Sequence, residues 1–241
     1  MKKILSISCL IAGLATGAQA ATLFSGSTSG QFNTPGVSNS CTYSTSIGNG
    51  VAWGEAGSCP DFTGSDSHSR LFVYDFDFSE EIEGHEQVQI GQISWRNNRN
   101  PARRTEDFNA DVNLALDIDS PTNASFSEYL WNLIENTPNP TGDEITTFRW
   151  DDYGLDVPYV LDGGLRIDSF SFGLIGNTNG ESLVISPYGD GLQFDWANKE
   201  ANWSDLAIYA NVSEVPLPAA GWMLIAAVGG LGAMRRKRKQ A

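Results

Sequence analysis

Polar and apolar residues alternate along several short segments of this sequence, and this pattern limits the possible folds more than any other feature. It is seen along Arg70–Phe78, Val112–Ile118, Phe170–Leu174 and Leu206–Val212. Successive side chains of a strand point to opposite faces of a sheet, whereas a helical face repeats every 3.6 residues. The period of two therefore predicts half-buried β-strands, with the four aromatic residues of Arg70–Phe78 on one face of a single strand.

Clusters rich in glycine, asparagine and proline separate these segments and predict turns. Residues 127–136 fit either a helical turn or an aromatic strand. Many short strands joined by polar turns predict an all-β fold, an antiparallel β-sandwich of jelly-roll-like type over residues 21–212. The predicted turns are Gly48-Asn49-Gly50, Asn97–Pro101, Pro138–Gly142, Asp162-Gly163-Gly164 and Gly176–Gly180.

The first twenty residues have the composition of a signal peptide. Lys2 and Lys3 precede an apolar run from Ile4 to Ala15, and Ala18-Gln19-Ala20 offers the small residues that a signal peptidase requires. We therefore expect cleavage before Ala21 and export of the chain.

Residues 213–241 have three parts in a fixed order. A proline-rich motif is followed by an uncharged apolar stretch, residues 219–234, and then by a basic cluster. Sixteen helical residues span about 24 Å, which is marginal for a bilayer core of about 30 Å. Because basic residues stay on the cytoplasmic side, the body is expected outside the inner membrane. The motif is Val215, Pro216, Leu217, Pro218 and Ala219, and the cluster is Arg235, Arg236, Lys237, Arg238 and Lys239.

This tail resembles the VPLPA-CTERM branch of the PEP-CTERM sorting signals, whose motif it matches at every position of Val215–Ala219. The resemblance implies a Gram-negative bacterium that makes extracellular polysaccharide. It also implies an exosortase, which cleaves near the motif and moves the protein to the surface. The membrane contact is then transient. The alternative is a permanent C-terminal anchor.

A second resemblance covers about residues 26–119. Gly30-Gln31-Phe32 with Pro35, then Gly48–Gly54 and Ile90–Asn97, are similar to the choice-of-anchor K domain. The Gly-Thr pair of that family is absent after Asn97, where an arginine-rich loop stands instead. The family has no established activity, so this resemblance bears on fold and location alone.

The charge of the body excludes some partners. All 29 acidic residues lie within residues 21–214, which we call the body, whereas seven of the 15 basic residues lie in the two ends. A surface this acidic repels nucleic acid and anionic lipid. Cys41 and Cys59 remain after removal of the signal peptide, and an exported protein matures in an oxidising compartment, so we expect them to form a disulfide.

Few residues are arranged for catalysis, so we expect no enzyme. His68 and His85 stand among polar residues, without a nucleophile motif. The pairs Asp75/Asp77 and Glu80/Glu81 could supply the two carboxylates of a glycosidase, but they are equally explained by the solvent-exposed face of a strand and the turn that follows it. No zinc motif is present and we expect no cofactor, although calcium is an alternative, with Asp117/Asp119 or Asp151/Asp152 and Asp156 as candidate ligands.

Two sets of side chains have the chemistry to contact glycans. Arg96, Arg99, Arg103 and Arg104 are half of the basic residues of the body, and either neutralise nearby acids or contact an acidic polysaccharide. Tryptophans can stack on sugar rings, although at least half of these are expected in the core. They are Trp95, Trp131, Trp150, Trp196 and Trp203.

The leading hypothesis is a non-enzymatic β-sandwich displayed at the cell surface, with a structural or adhesive role in the extracellular matrix or biofilm. Signal peptidase and exosortase would process it. The alternative is a secreted carbohydrate-binding module or a weak glycosidase, stabilised by calcium.

Overall fold

The computed structural model describes residues 21–33, 35, 40–53, 68–98, 107–135, 142–176, 181–189 and 191–215. These residues form fifteen strands and one 3-10 turn, η1 (Asp152–Gly154). The strands are β1 (Thr22–Phe32), β2 (Ser40–Thr45), β3 (Gly48–Trp53), β4 (Ser69–Tyr74), β5 (Phe76–Ile82), β6 (His85–Asn97), β7 (Phe108–Asn109), β8 (Val112–Ser120), β9 (Ala124–Glu135), β10 (Asp143–Trp150), β11 (Tyr159–Leu161), β12 (Leu165–Ile175), β13 (Ser182–Tyr188), β14 (Gly191–Asn198) and β15 (Asn202–Glu214).

The strands form two antiparallel sheets within the described residues. Sheet I has the order β13-β14-β10-β9-β8-β1-β5, and β7 joins it by pairing with β9. Sheet II has the order β11-β12-β15-β6-β4-β3-β2. Long-range pairs such as β15 with β6 and β1 with β8 hold each sheet together. The described part of the chain is therefore an all-β sandwich, as its alternation predicts.

One apolar core lies between the sheets, and aromatic rings from both sheets meet in it. Edge-to-face contacts of this kind add a specific attraction to the burial of the rings. Such pairs across the core are Trp95 with Trp196 at 5.4 Å between ring centroids, Trp53 with Phe108 at 5.4 Å, and Phe172 with Phe194 at 4.3 Å.

Three predicted strands are confirmed, as parts of β8, β12 and β15. The ambiguous residues 127–136 are strand up to Glu135, where β9 ends. The turn Asp162-Gly163-Gly164 joins β11 to β12 as predicted. β15 ends at Glu214, two residues beyond the predicted boundary of the domain at residue 212.

The single strand predicted over Arg70–Phe78 is wrong. The chain leaves sheet II after Tyr74 and enters sheet I at Phe76, so Asp75 lies at a crossing between the sheets. The backbone N–H of Asp75 donates to the carbonyl of Ile47 at 2.9 Å, which holds this corner. Both parts alternate with the same period, so the pattern itself does not reveal the break.

Candidate functional site

An open groove of about 260 Å³ lies on the outer face of sheet II, over strands β2, β3, β4, β6 and β15. Phe72 and Ser94 are buried at its base, with 7% and 2% of their surface exposed. Trp203 stands at one side with 46% of its surface exposed. We call this feature the aromatic groove. Its lining residues are Tyr43, Thr45, Ser46, Ile47, Arg70, Phe72, Tyr74, Ser94 and Trp203.

The alternation of β4 supplies one row of the groove. Leu71 and Val73 point into the core, so their neighbours in β4 point outward. The ring of Phe72 lies nearly parallel to that of Tyr43, with centroids 6.0 Å apart, and makes an edge contact with Tyr74 at 4.9 Å. The three rings form a continuous apolar strip.

Two glycines of β3 leave the space that these rings occupy. A Cβ atom on Gly50 would lie 2.3 Å from Cζ of Tyr43. Gly48 has a φ of 144°, and a Cβ there would lie 2.1 Å from the carbonyl oxygen of Val73 and 2.9 Å from Cζ of Phe72. The turn predicted at residues 48–50 is therefore wrong, because this segment begins a strand and the hairpin turn lies at Ser46 and Ile47. Glycines inside a strand mark a close approach by another group. Here that group is the Tyr43 ring at Gly50, and the Val73 carbonyl together with the Phe72 ring at Gly48.

Register brings two arginines beside Trp203. Arg70 of β4 is directly opposite Arg96 of β6, which in turn is opposite Trp203 of β15. The guanidinium carbons of Arg70 and Arg96 lie 4.8 Å and 5.4 Å from the centroid of the Trp203 ring. Cation–π attraction to the indole offsets part of the repulsion between two like charges on neighbouring strands. Two cationic side chains therefore lie side by side at the rim of the groove, on a strongly acidic protein.

Of the four arginines predicted to contact a polyanion, Arg96 therefore lies at the aromatic groove. Arg99, Arg103 and Arg104 lie outside the described residues. Sequence reasoning missed Arg70, which is 26 positions before Arg96 and becomes its neighbour only through the pairing of β4 with β6.

The expectation that at least half of the five candidate tryptophans are core is confirmed. Trp95, Trp150 and Trp196 are each at most 3% exposed. Trp131 is 51% exposed on the outer face of sheet I, where it contacts Tyr129 edge-on at 5.7 Å. Trp203 is thus the exposed tryptophan that lines the groove.

The carboxylate pairs considered for glycoside cleavage lie elsewhere. Asp77, Glu80 and Glu81 are exposed on β5, the edge strand of sheet I. No aspartate or glutamate is found among the described residues that line the aromatic groove. Of the two histidines, His85 is exposed with its Nδ1 3.5 Å from Asp168, and the carbonyl of His68 accepts from the Asn98 amide at 3.1 Å.

The aspartates predicted as candidate calcium ligands lie in two places. Asp117 and Asp119 are exposed along β8. Near η1, the Asp152 carboxylate accepts a hydrogen bond from Nε1 of Trp150 at 2.9 Å. Across the described part of the chain, no three His, Cys, Asp or Glu side chains are grouped closely enough to hold a metal ion.

Glu128 is a buried carboxyl group that sequence reasoning missed, because it occupies a core-facing position of β9. It is 6% exposed, and burial raises its pKa to about 7, although the backbone N–H groups of Tyr153 and Asp151 donate to its carboxylate. The carboxylates of Asp151 and Asp152 raise the pKa further. The two N–H donors connect the carboxyl group of Glu128 to η1 and to the residue before it.

The backbone of η1, which Glu128 contacts, is strained. Asp152 and Tyr153 have φ values of 48° and 60°, in the left-handed region that is costly for residues with a side chain. The Tyr153 ring is buried against Trp150, with centroids 4.9 Å apart. Burial raises the pKa of the Tyr153 hydroxyl, and the Glu128 charge raises it further, so this phenol is neutral at physiological pH.

A second cavity, inside the core, is not a ligand site. It has a volume of about 30 Å³ and is lined mainly by apolar side chains, among them Phe32, Val73, Trp150 and Phe194. A space of this size is comparable to one water molecule, and apolar walls offer water few partners.

Several predicted features lie outside the described residues. These are the signal peptide, Cys59, the motif beyond Val215, the apolar segment and the basic cluster Arg235–Lys239. Cys41 lies in β2 opposite Ala52, and its disulfide with Cys59 stays a prediction. The described residues include no helix that is long and apolar enough to span a membrane.

Comparisons with protein-family models, curated proteins and solved structures found no match to this chain.

Proposed function

We propose that this chain is an exported surface protein whose jelly-roll-like β-sandwich binds a carboxylated polysaccharide in the aromatic groove, without cleaving it. The observation that carries the proposal is the position of Trp203, half exposed at the side of the groove with Arg70 and Arg96 against its ring. Binding of this kind gives the protein an adhesive role in the matrix, at the cell surface to which the two chain ends are expected to direct it.

The apolar strip supports a sugar ligand. The aliphatic faces of pyranose rings are apolar, and Tyr, Phe and Trp rings offer them flat surfaces while polar groups at the edge remain hydrated. The groove of about 260 Å³ is slightly smaller than the range of about 300–1,000 Å³ typical of small-molecule sites. An open site of this size suits a short stretch of a longer chain.

The two arginines support a carboxylated sugar rather than a neutral one. The fork of N–H groups on a guanidinium matches the geometry of a carboxylate. The surrounding protein is acidic, with 29 acidic residues in the body. Without a local cluster of positive charge, an acidic polysaccharide would be repelled.

The lining of the groove supports binding without catalysis. Glycoside cleavage needs two carboxyl groups across one sugar, about 5–9.5 Å apart. The lining residues are aromatic, hydroxyl-bearing, aliphatic and cationic. The weak glycosidase alternative is therefore less favoured than the binding module.

The location rests on the chain ends. The signal peptide over residues 1–20 and the VPLPA-type tail over residues 213–241 favour export, transient anchoring in the inner membrane and release to the surface. The proposed processing motif begins directly after the last strand of the sandwich. Val215, the first residue of the motif, donates its N–H to the carbonyl of Gly164 at 2.7 Å, immediately after β15 ends at Glu214.

Replacing Arg70 and Arg96 together by glutamine tests the charge of the groove. We expect the double variant to lose about tenfold or more in affinity for a uronic acid polysaccharide, because two charge-assisted contacts to carboxylates are lost. Wild-type affinity is also expected to fall as salt rises, since exposed charges are screened. Isothermal titration with a carboxylated polysaccharide measures the affinity of the variant and the salt dependence of the wild type. The same titration with the carboxyl-reduced polysaccharide shows how much of the affinity depends on the carboxylates.

The matched control is the double change of Arg149 and Arg166 to glutamine, which removes the same charge outside the groove. It should bind the carboxylated polysaccharide within about twofold of the wild type. Equal losses in the two double variants would mean that total charge, not the groove, governs binding. Equal wild-type affinity for the carboxylated and reduced forms would contradict the proposed ligand class.

A further inference from the structure

The edge strand β13 has a partner on one side only, within the residues that the structure describes. Ser182–Tyr188 pairs with β14, and β13 ends the order of sheet I. The outer row of backbone N–H and C=O groups on an edge strand is a template for another strand. Proteins usually protect such edges with charged residues, proline, bulges or short strand length.

The two edges of sheet I differ in their charge. β5 at one edge carries Asp77, Glu80 and Glu81. β13 at the other edge has no charged residue in its seven positions. In a chain with 29 acidic residues in its body, an uncharged strand of this length at an edge is a place where two copies can meet without repulsion.

β13 also exposes apolar side chains on both of its faces. Ile185 is opposite the buried Phe194, so it is on the inner face of sheet I, yet it is 42% exposed. Val184 is opposite Asp195 on the outer face and is 55% exposed. Residues opposite each other in a ladder share a face of the sheet. Leu183, near the start of β13, still packs against the core. From Val184 onward the edge extends beyond the cover that sheet II provides, so apolar side chains on both faces of the strand are exposed to water.

We infer that β13 pairs with β13 of a second copy of this chain, antiparallel and about a two-fold axis. Ile185 is the central residue of the strand, so symmetric pairing places the two Ile185 side chains opposite each other. The backbone groups of both edges then form hydrogen bonds, and the apolar side chains of both copies are buried. In the symmetric pair, Pro187 of each copy lies opposite Leu183 of the other, so the N–H group that proline lacks limits the paired length at both ends.

This inference is independent of the aromatic groove, which is on the outer face of the other sheet. The two-fold pair carries two grooves, so a polysaccharide that reaches both is held by avidity as well as by affinity. A polymer bound by many such pairs is cross-linked. That consequence rests on the proposed function, whereas the pairing itself does not.

The pairing is tested by sedimentation of the exported protein over a concentration series, with Ile185→Lys as the variant. Two lysines opposite each other at the axis repel, so the dimer dissociation constant is expected to rise about tenfold or more. Leu23→Lys is the control, because Leu23 is 43% exposed and lies opposite Glu81, in β1, an inner strand of sheet I. It should remain dimeric.

A second variant keeps the test decisive if Ile185→Lys does not fold. Ile185→Cys should form a symmetric disulfide under mild oxidation, because cross-strand neighbours at the axis lie near bonding distance. The covalent dimer is detected by intact mass. A monomeric wild type at every concentration would overturn the inference. So would a dimer that survives Ile185→Lys, or one that Leu23→Lys dissociates.

Discussion

Replacing Trp150 by alanine is expected to lower the free energy of unfolding by about 3–5 kcal/mol. The side chain is 1% exposed, and its ring contacts Tyr153, Phe170, Phe172 and Phe194 edge-on at 4.7–6.5 Å between centroids. Its Nε1 also donates to Asp152 at 2.9 Å. The truncation leaves a cavity at the contact of the two sheets and removes a hydrogen bond from η1. Denaturant unfolding measures the loss.

The same change at Trp131 is the control. That side chain is 51% exposed and contacts Tyr129. Its loss should cost less than about 1 kcal/mol, as is usual at the surface. Equal destabilisation by the two variants would contradict the assignment of Trp150 to the core. The melting temperature of Trp150→Ala should fall by roughly 10 °C, since each kcal/mol is worth about 2–4 °C in a domain of this size.

Replacing Glu128 by glutamine is expected to change how stability depends on pH. Burial raises its pKa from the usual value of 4.5 to about 7 in the folded protein. As pH rises from about 4.5 to 7, the unfolded chain releases this proton first, so the free energy of unfolding falls across that window. The loss is about 1–3 kcal/mol, because solvent and local relaxation screen part of the charge. Glutamine does not titrate, and its oxygen can still accept from Asp151 and Tyr153.

The free energy of unfolding of Glu128→Gln, relative to that of the wild type, should therefore increase by about 1–3 kcal/mol as the pH rises from 5 to 8. Chemical unfolding at several pH values in that range measures the difference. Glu80→Gln, an exposed change in β5, controls for the removal of one negative charge from the whole chain. A variant that loses stability relative to the wild type as pH rises would show that the ionised carboxylate, and not the neutral acid, holds η1.

Much of the fold follows from the alternation of the sequence, and its limits have a physical cause. The segments that became β8, β12 and β15 are recognisable because one face is apolar and the other polar. The crossing at Asp75 is not recognisable, because strands of both sheets have the same period. Phe78 enters the core while Phe72 lies under the aromatic groove, and both are aromatic residues at even positions of one pattern.

The site could be predicted only in part, because its residues are brought together by strand pairing. Trp203 and Arg96 are recognisable as candidates by residue type, but Arg70 becomes relevant only when β4 lies beside β6. The glycines of β3 indicate a turn when the sequence alone is considered. In the structure, Gly50 provides room for the Tyr43 ring. Two glycines spaced by two inside an aromatic-rich hairpin are the signal that could have indicated the groove.

The central claim is that the aromatic groove binds a carboxylated glycan, and the affinities of two tryptophan variants for that glycan test it most directly. Trp203 and Trp131 are exposed to a similar extent on opposite sheets, at 46% and 51%. Trp203→Ala should weaken binding about tenfold or more, and Trp131→Ala should remain within about twofold of the wild type. Loss of binding in Trp131→Ala with full binding in Trp203→Ala would contradict the account.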